Sequence, residues 1–160
     1  MIGVVRARYD DPAHAAALVE LLDAYARDPA GGGEPLSDFA RAHLIDELAA
    51  RPFIFSVLAF DGSLPVGLVN AIEGFSTFAC KPLVNVHDVA VLPSHRGRGI
   101  AAQLFAEVET IARERGACKL TLEVLSGNRA ARALYEKLGF DDYRLAPGMG
   151  AAQFMQKWLD

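Results

Sequence analysis

Two cysteines, Cys80 and Cys118, stand in a chain of 160 residues. That is too few for a disulfide scaffold, and their spacing matches no metal-binding pattern. Both read as ordinary buried thiols, and no metal is expected. No uninterrupted apolar run approaches the ~18 residues that a membrane-spanning helix needs. The start, MIGVVRARYDD, lacks the basic segment, apolar stretch and small-residue site of a secretory signal, so the expected location is cytoplasmic. A positive excess is lacking as well. With 16 basic residues against 20 acidic ones the formal charge is −4, and no global field draws the chain to nucleic acid or to an anionic membrane. No internal repeat and no low-complexity segment stands out. What is present, 52% hydrophobic and 22% charged residues, is the composition of a globular chain. One hydrophobic core serves this length, so a single domain over 1–160 is expected.

Local patterns set an order of elements. Residues 2 to 8 alternate as a short strand. DDPAHAAALVELLDAYARD follows as an amphipathic helix with Asp and Pro at its start. PAGGGEPL breaks the pattern, its GGG at 31 to 33 predicting a flexible or sharply turning loop. SDFARAHLIDELAAR is a second helix capped by Ser37 and ended by Pro52. Three strand-like runs come next, FIFSVLAF, PVGLVNAIEGFSTF and LVNVHDVAVL, with DGS marking a hairpin turn between the first two. A helix of about 17 residues ends near Gly116, CKLTLEVL is a further strand, and SGNRAARALYEKLG a short helix. The end, FDDYRLAPGMGAAQFMQKWL, is expected to hold two more strands. The layout predicts an α+β fold, a mixed and mostly antiparallel sheet of six to seven strands with helices on both faces.

The stretch LPSHRGRGIAAQLF aims two arginines and bare backbone at a helix start, where unpaired N–H groups and a partial positive charge suit phosphate oxygens. A dinucleotide fingerprint wants three glycines spaced as GxGxxG, and only Gly97 and Gly99 are present. A P-loop needs GxxxxGK with Ser or Thr, which is absent. A solvated Arg-rich turn is the bland alternative. Nucleic-acid binding through Arg96, Arg98, Arg113 and Arg115 has against it the negative net charge and the lack of interleaved aromatics.

The spacing Arg96-x-x-Gly99-x-Ala101 after VHDVAV, followed some thirty residues later by GNRAARALYEKLGF, resembles the GCN5-related N-acetyltransferase (GNAT) family, clearly over residues 52 to 141. The patterns EGFSTFACKPLVNVHDVAV and LLDAYARD resemble its diamine and thialysine acetyltransferase branch. The resemblance implies acetyl-CoA as co-substrate. Its pyrophosphate would lie on the N–H groups of Gly97, Arg98, Gly99, Ile100, Ala101 and Ala102, with Arg96 contacting phosphate or bracing the loop. The backbone of Val89, Ala90 and Val91 would pair with the pantetheine arm, and Asn128, Ala131 and Tyr135 would face the cofactor. Tyr135 would protonate the departing thiolate, a step that needs alignment because a phenol of pKa ~10 is a weaker acid than a thiol of ~8.5.

Acyl transfer to an amine also needs a neutral nitrogen, whereas an alkylamine has a pKa near ~10.4. Candidate bases are His87, Asp88, Glu73 and Glu123, with His87 first because it titrates in the useful range; the bland alternative for His87 is a hydrogen-bonded strand residue. Alternation along VNVHDVAV puts His87 and Asp88 on opposite faces, so only one is expected to reach the cleft. Asp88 or Glu123 would instead anchor a cationic substrate. The resemblance builds the substrate wall from Tyr25, Asp28 and GGGEPL. Asp23, Asp28 and Glu34 suit a cation there or belong to the solvated surface. The expected function is acetyl transfer to a primary amine of a small molecule by direct attack in a ternary complex. The alternatives are a non-catalytic CoA-binding regulatory or partner-binding module and a protein or peptide N-acetyltransferase. Many family members dimerise, so a homodimer is compatible with the resemblance.

Overall fold

The computed structural model describes residues 1–159 and divides into two compact units, Met1–Leu122 and Glu123–Asp160. The first unit carries five strands, β1 (Ile2–Arg6), β2 (Ile54–Asp61), β3 (Leu64–Ser76), β4 (Lys81–Val91) and β5 (Leu120–Leu122). They form one sheet in the order β1-β2-β3-β4-β5, antiparallel throughout except for the parallel β4–β5 pair. The mixed α+β sheet is as expected, but it has five strands rather than six to seven. Residues 141–159 form no strand. Pro147 removes a ladder donor there, and Gly148 and Gly150 turn the backbone to φ +89° and +78°, conformations a strand does not hold.

Helix α1 (Pro12–Arg27) starts where Asp11 accepts from the N–H groups of Ala13 and His14 at 2.9 and 3.2 Å, with Pro12 in its first turn. Ser37 caps α2 (Asp38–Ala49) through the Ala40 N–H at 3.1 Å. Helix α3 (Ile100–Glu114) buries Ile100, Leu104, Phe105, Val108, Ile111 and Ala112, a stripe of helical period.

Neighbouring residues of β3 show which helix covers which face. Leu68 packs with Ala17, Leu18 and Leu21 of α1. A Cβ on Gly67, which points to the other face, would meet Leu104 Cδ1 at 3.0 Å and Ile100 Cγ2 at 3.2 Å of α3. Gly67 is therefore the residue that lets α3 lie close to the sheet. With both faces covered, β2 and β3 read as near-continuous apolar runs instead of alternating.

The second unit holds α4 (Arg129–Lys137), capped by the Asn128 side chain, which accepts from the Ala131 N–H at 3.2 Å. Both cysteines are exposed, not buried as expected. Cys80 sits in the β3–β4 turn with φ +52° and Cys118 on the approach to β5, neither within a packed element. Among the described residues no helix is long and apolar enough to cross a membrane.

Candidate functional site

Strand β4 carries an irregularity that strict alternation hides. Asn70 stands opposite Asp88, yet the next residue of β3, Ala71, stands opposite Val86, so His87 is an extra residue in the ladder. A bulge of this kind re-aims side chains. Both His87 and Asp88 consequently line one cleft of about 430 Å³ on the α1 side of the sheet. The expectation that only one of the two would reach it is corrected: the alternation is broken between them.

Asp88 is held from behind by a chain of buried polar groups. Asn70 Nδ2 donates to Asp88 Oδ2 at 3.0 Å, and Ser56 Oγ donates to Asn70 Oδ1 at 2.6 Å. Tyr9 Oη lies 3.0 Å from Ser56 Oγ. A carboxylate only accepts, so the Asn70 amide group must face Asp88. Ser56 spends its single proton on Asn70, which leaves Tyr9 as the donor to Ser56. All three bonds thus point their protons toward the carboxylate. Ser56 and Asn70 are 2% and 5% exposed, so the chain is shielded from water. None of Tyr9, Ser56 and Asn70 was singled out in the sequence. The available signal was a Ser and an Asn inside strands otherwise apolar on both faces.

Tyr25 also lines the cleft. Burial first, and then the carboxylates of Asp88 and Asp28, push its phenol above the ordinary value of 10, so it stays protonated as a donor. The acidic residues of the wall are already engaged. Asp28 accepts from the Ala30 N–H at 2.9 Å and pairs with Arg96 at 2.9 Å; the amide first, and Arg96 second, hold it below the usual carboxylate value. Buried Asp23 pairs with Arg27 at 2.8 Å and Arg41 at 2.6 Å, and accepts from the Leu36 N–H at 2.9 Å. Glu73 pairs with Arg115 at 2.9 Å. Glu34 does not line the cleft.

Beyond the bulge the same strand offers backbone. Leu92 N donates to Val66 O at 2.9 Å. This makes Leu92 and Val66 a hydrogen-bonded pair of the antiparallel ladder, as are Ala90 and Leu68 two residues along. The N–H and C=O groups of Val89 and Val91 therefore point away from β3. On that side β5 pairs only with Val84–Val86, so the edge at Val89 and Val91 is not continued by a strand. Arg96 Nε takes the Val91 carbonyl at 3.1 Å, which with the Asp28 pair makes this arginine a brace for the loop. Arg98 reaches Asp61 at 3.3 Å.

The loop then enters α3 through two left-handed residues, Gly97 at φ +76° and Gly99 at φ +74°. Such a backbone turns successive N–H groups to one side as an anion-binding concavity. Space for a Cβ at either glycine is open, and no side chain caps α3. The first-turn N–H groups of Ile100, Ala101 and Ala102 thus have the orphan character of an uncapped helix start. In the second unit, Asn128 and Ala131 are joined by the α4 cap, and Tyr135 lies edge-on to Phe140 at 6.0 Å between ring centroids. Glu123 follows β5 directly in the chain.

Comparison with known proteins agrees with these features. Residues 15–140 match the model of the Acetyltransferase (GNAT) family. Streptothricin acetyltransferase of Streptomyces lavendulae is 37% identical over 78 residues, covering 47% of this chain and 41% of the relative. Thialysine N-epsilon-acetyltransferase of Bos taurus is 34% identical over 71 residues, covering 44% and 42%. The chain thus spans about two fifths of the length of these curated relatives. Among solved structures, AAC(6')-Iy in complex with the bisubstrate analogue CoA-S-monomethyl-acetylneamine superposes with a TM-score of 0.75 at 21% identity, covering 99% of each chain; at that identity the likeness is one of fold. The chain, with its mixed sheet, bulged β4 and glycine loop opening α3, is matched over residues 15–140 by this one family model and belongs to the acetyltransferase (GNAT) family.

Proposed function

We propose that this protein transfers the acetyl group of acetyl-CoA to a primary amine of a small molecule by direct attack in a ternary complex. The observation that carries the reading is the arrangement along β4. Its bulge presents His87 and Asp88 to a cleft, its outward backbone at Val89 and Val91 follows at once, and the uncapped start of α3 ends the path. This order suits a molecule with an anionic end, an amide-bearing arm and a reactive end. The residues fit acetyl-CoA on that count: left-handed Gly97 and Gly99 with open space above them suit its pyrophosphate, and a strand edge suits the pantetheine amides. Acetyl-CoA supplies an acetyl group already activated as a thioester.

The protein's own groups handle charge and protons. Asp88, held by Asn70, attracts the ammonium form of the amine into the cleft. His87, exposed at the rim of the same cleft, takes the proton that the amine must lose, directly or through water, and passes it to solvent. The Tyr25 phenol, kept neutral, donates a hydrogen bond at the wall. The family resemblance gives Tyr135 the proton for the departing thiolate. The named activities of the streptothricin and thialysine relatives support a small amine acceptor.

The test is CoA-thiol release from acetyl-CoA across a panel of alkylamines, polyamines, amino acids, aminoglycosides and peptide N-termini, beside a calorimetric titration with CoA. Turnover with a small amine, reduced by His87→Ala and Tyr135→Phe, is the expected result. CoA binding with turnover only of peptide N-termini would shift the acceptor to proteins. Absence of CoA binding would overturn the reading of the Gly97–Ala102 loop.

A further inference from the structure

We infer that the acceptor carries a single positive charge on an apolar body: a monoamine with an alkyl or aryl substituent, and not a polyamine or an aminoglycoside. The inference rests on the acetyltransferase reading of this cleft and names the substrate class that the cleft admits.

The argument is one of charge against lining. Of the residues that line the cleft, Asp88 is the one carboxylate. Its Oδ2 accepts from Asn70, at the end of the three-bond chain from Tyr9. Of the other acids near the wall, Glu34 does not line the cleft, and Asp23 and Asp28 are already paired. Asp23 is shared by two arginines and an amide, and Asp28 by Arg96 and an amide. Withdrawing either from its partners would leave an arginine without its counter-charge, so neither is free to meet a second ammonium. Most of the remaining lining is aliphatic, with Leu22 of α1, Leu36, Leu44 and Leu48 on and before α2, and Ile54 and Ile72 of β2 and β3. A hydrocarbon body buried there loses water favourably, while a second ammonium in the same place loses hydration with nothing in return. The volume, about 430 Å³, lies toward the small end of ligand clefts, which span ~300–1,000 Å³.

Matched pairs test this directly, because they differ only in the far group: hexylamine against 1,6-diaminohexane, and butylamine against 1,4-diaminobutane, with kanamycin as a polycation. Binding is measured by calorimetry on the full-length protein, with and without saturating CoA, and kcat/KM with acetyl-CoA. Each monoamine is expected to bind at least about tenfold more tightly than its diamine, and hexylamine more tightly than butylamine. Asp88→Asn should lower hexylamine affinity by about tenfold or more. Leu44→Glu, which adds a carboxylate to the aliphatic wall, should reverse the preference toward the diamine.

A diamine or kanamycin that binds the wild-type protein as tightly as the monoamines, or failure of every amine to bind, overturns the inference. These outcomes are independent of the CoA titration. Loss of CoA binding with monoamine preference intact sinks the acetyltransferase reading alone, and CoA binding with diamine preference sinks only the substrate class. The wild-type pairs decide the matter even where a variant fails to fold.

Discussion

Asn70 reaches Asp88 straight across the β3–β4 ladder, donating from Nδ2 to Oδ2 at 3.0 Å, while its own oxygen takes the Ser56 proton. The pair sits at the last regular position before the bulge. Cross-strand neighbours on one face lie close enough for such a bond without any loop to hold them. Sheet register, not side-chain flexibility, therefore aims the carboxylate at the cleft.

Asn70→Ala should cost about 1–3 kcal/mol of stability, because it strands a buried Ser56 donor and frees Asp88. Urea denaturation reads the first effect. The second is read as weaker amine binding with CoA affinity unchanged. Ser56→Ala should act in the same direction and more weakly on the amine, being one bond further from the carboxylate. Equal amine affinity in wild type and Asn70→Ala would refute the positioning role.

Gly99 at φ +74° and Gly97 at φ +76° invite a pair of substitutions that separate conformation from space. Gly99→Ala should lose about 1–2 kcal/mol, the cost of holding an L-residue in the left-handed region. Gly99→Asn should be closer to wild type in stability, since Asn tolerates that region, yet still weaken CoA binding by projecting a side chain over the loop. Thermal melts and CoA titrations on the two variants check both halves, and unchanged CoA affinity in both would remove the loop from cofactor binding.

Asp28 makes part of the stability dependent on acid. Its folded pKa lies below the unfolded one, through the Ala30 amide first and Arg96 second. Its contribution is therefore complete above the unfolded value of ~3.9 and lost as pH falls through the lower folded value. Asp28→Asn keeps an acceptor for the cap but loses the charge. The stability gap between wild type and this variant should be constant from pH 7 to about 5 and close on further acidification. Urea midpoints across that range test it, and a gap that does not change with pH would contradict the assignment. The same variant should weaken CoA binding, because Arg96 loses one of the two contacts by which it braces the loop.

Much of this was legible in the chain itself. The Asp11 and Ser37 caps, the apolar stripe of α3, the Gly62 hairpin and the paired glycines before α3 are local features, set by backbone preferences and by periodicity within a few residues. The tertiary structure alone decided the rest. The bulge at His87 depends on how β4 registers against β3, so alternation read along β4 by itself misplaced one of the pair His87 and Asp88. The brace from Arg96 to Asp28 joins positions 68 residues apart, and the Ser56–Asn70–Asp88 chain crosses three strands. Such pairings follow from long-range packing, where the cost of burying a charge is settled by whichever partner the fold brings within reach. That is why the acids considered for the substrate site, alike in the sequence, end differently: Asp23 and Asp28 are paired with arginines, Glu34 stands outside the lining, and Asp88 lines the cleft.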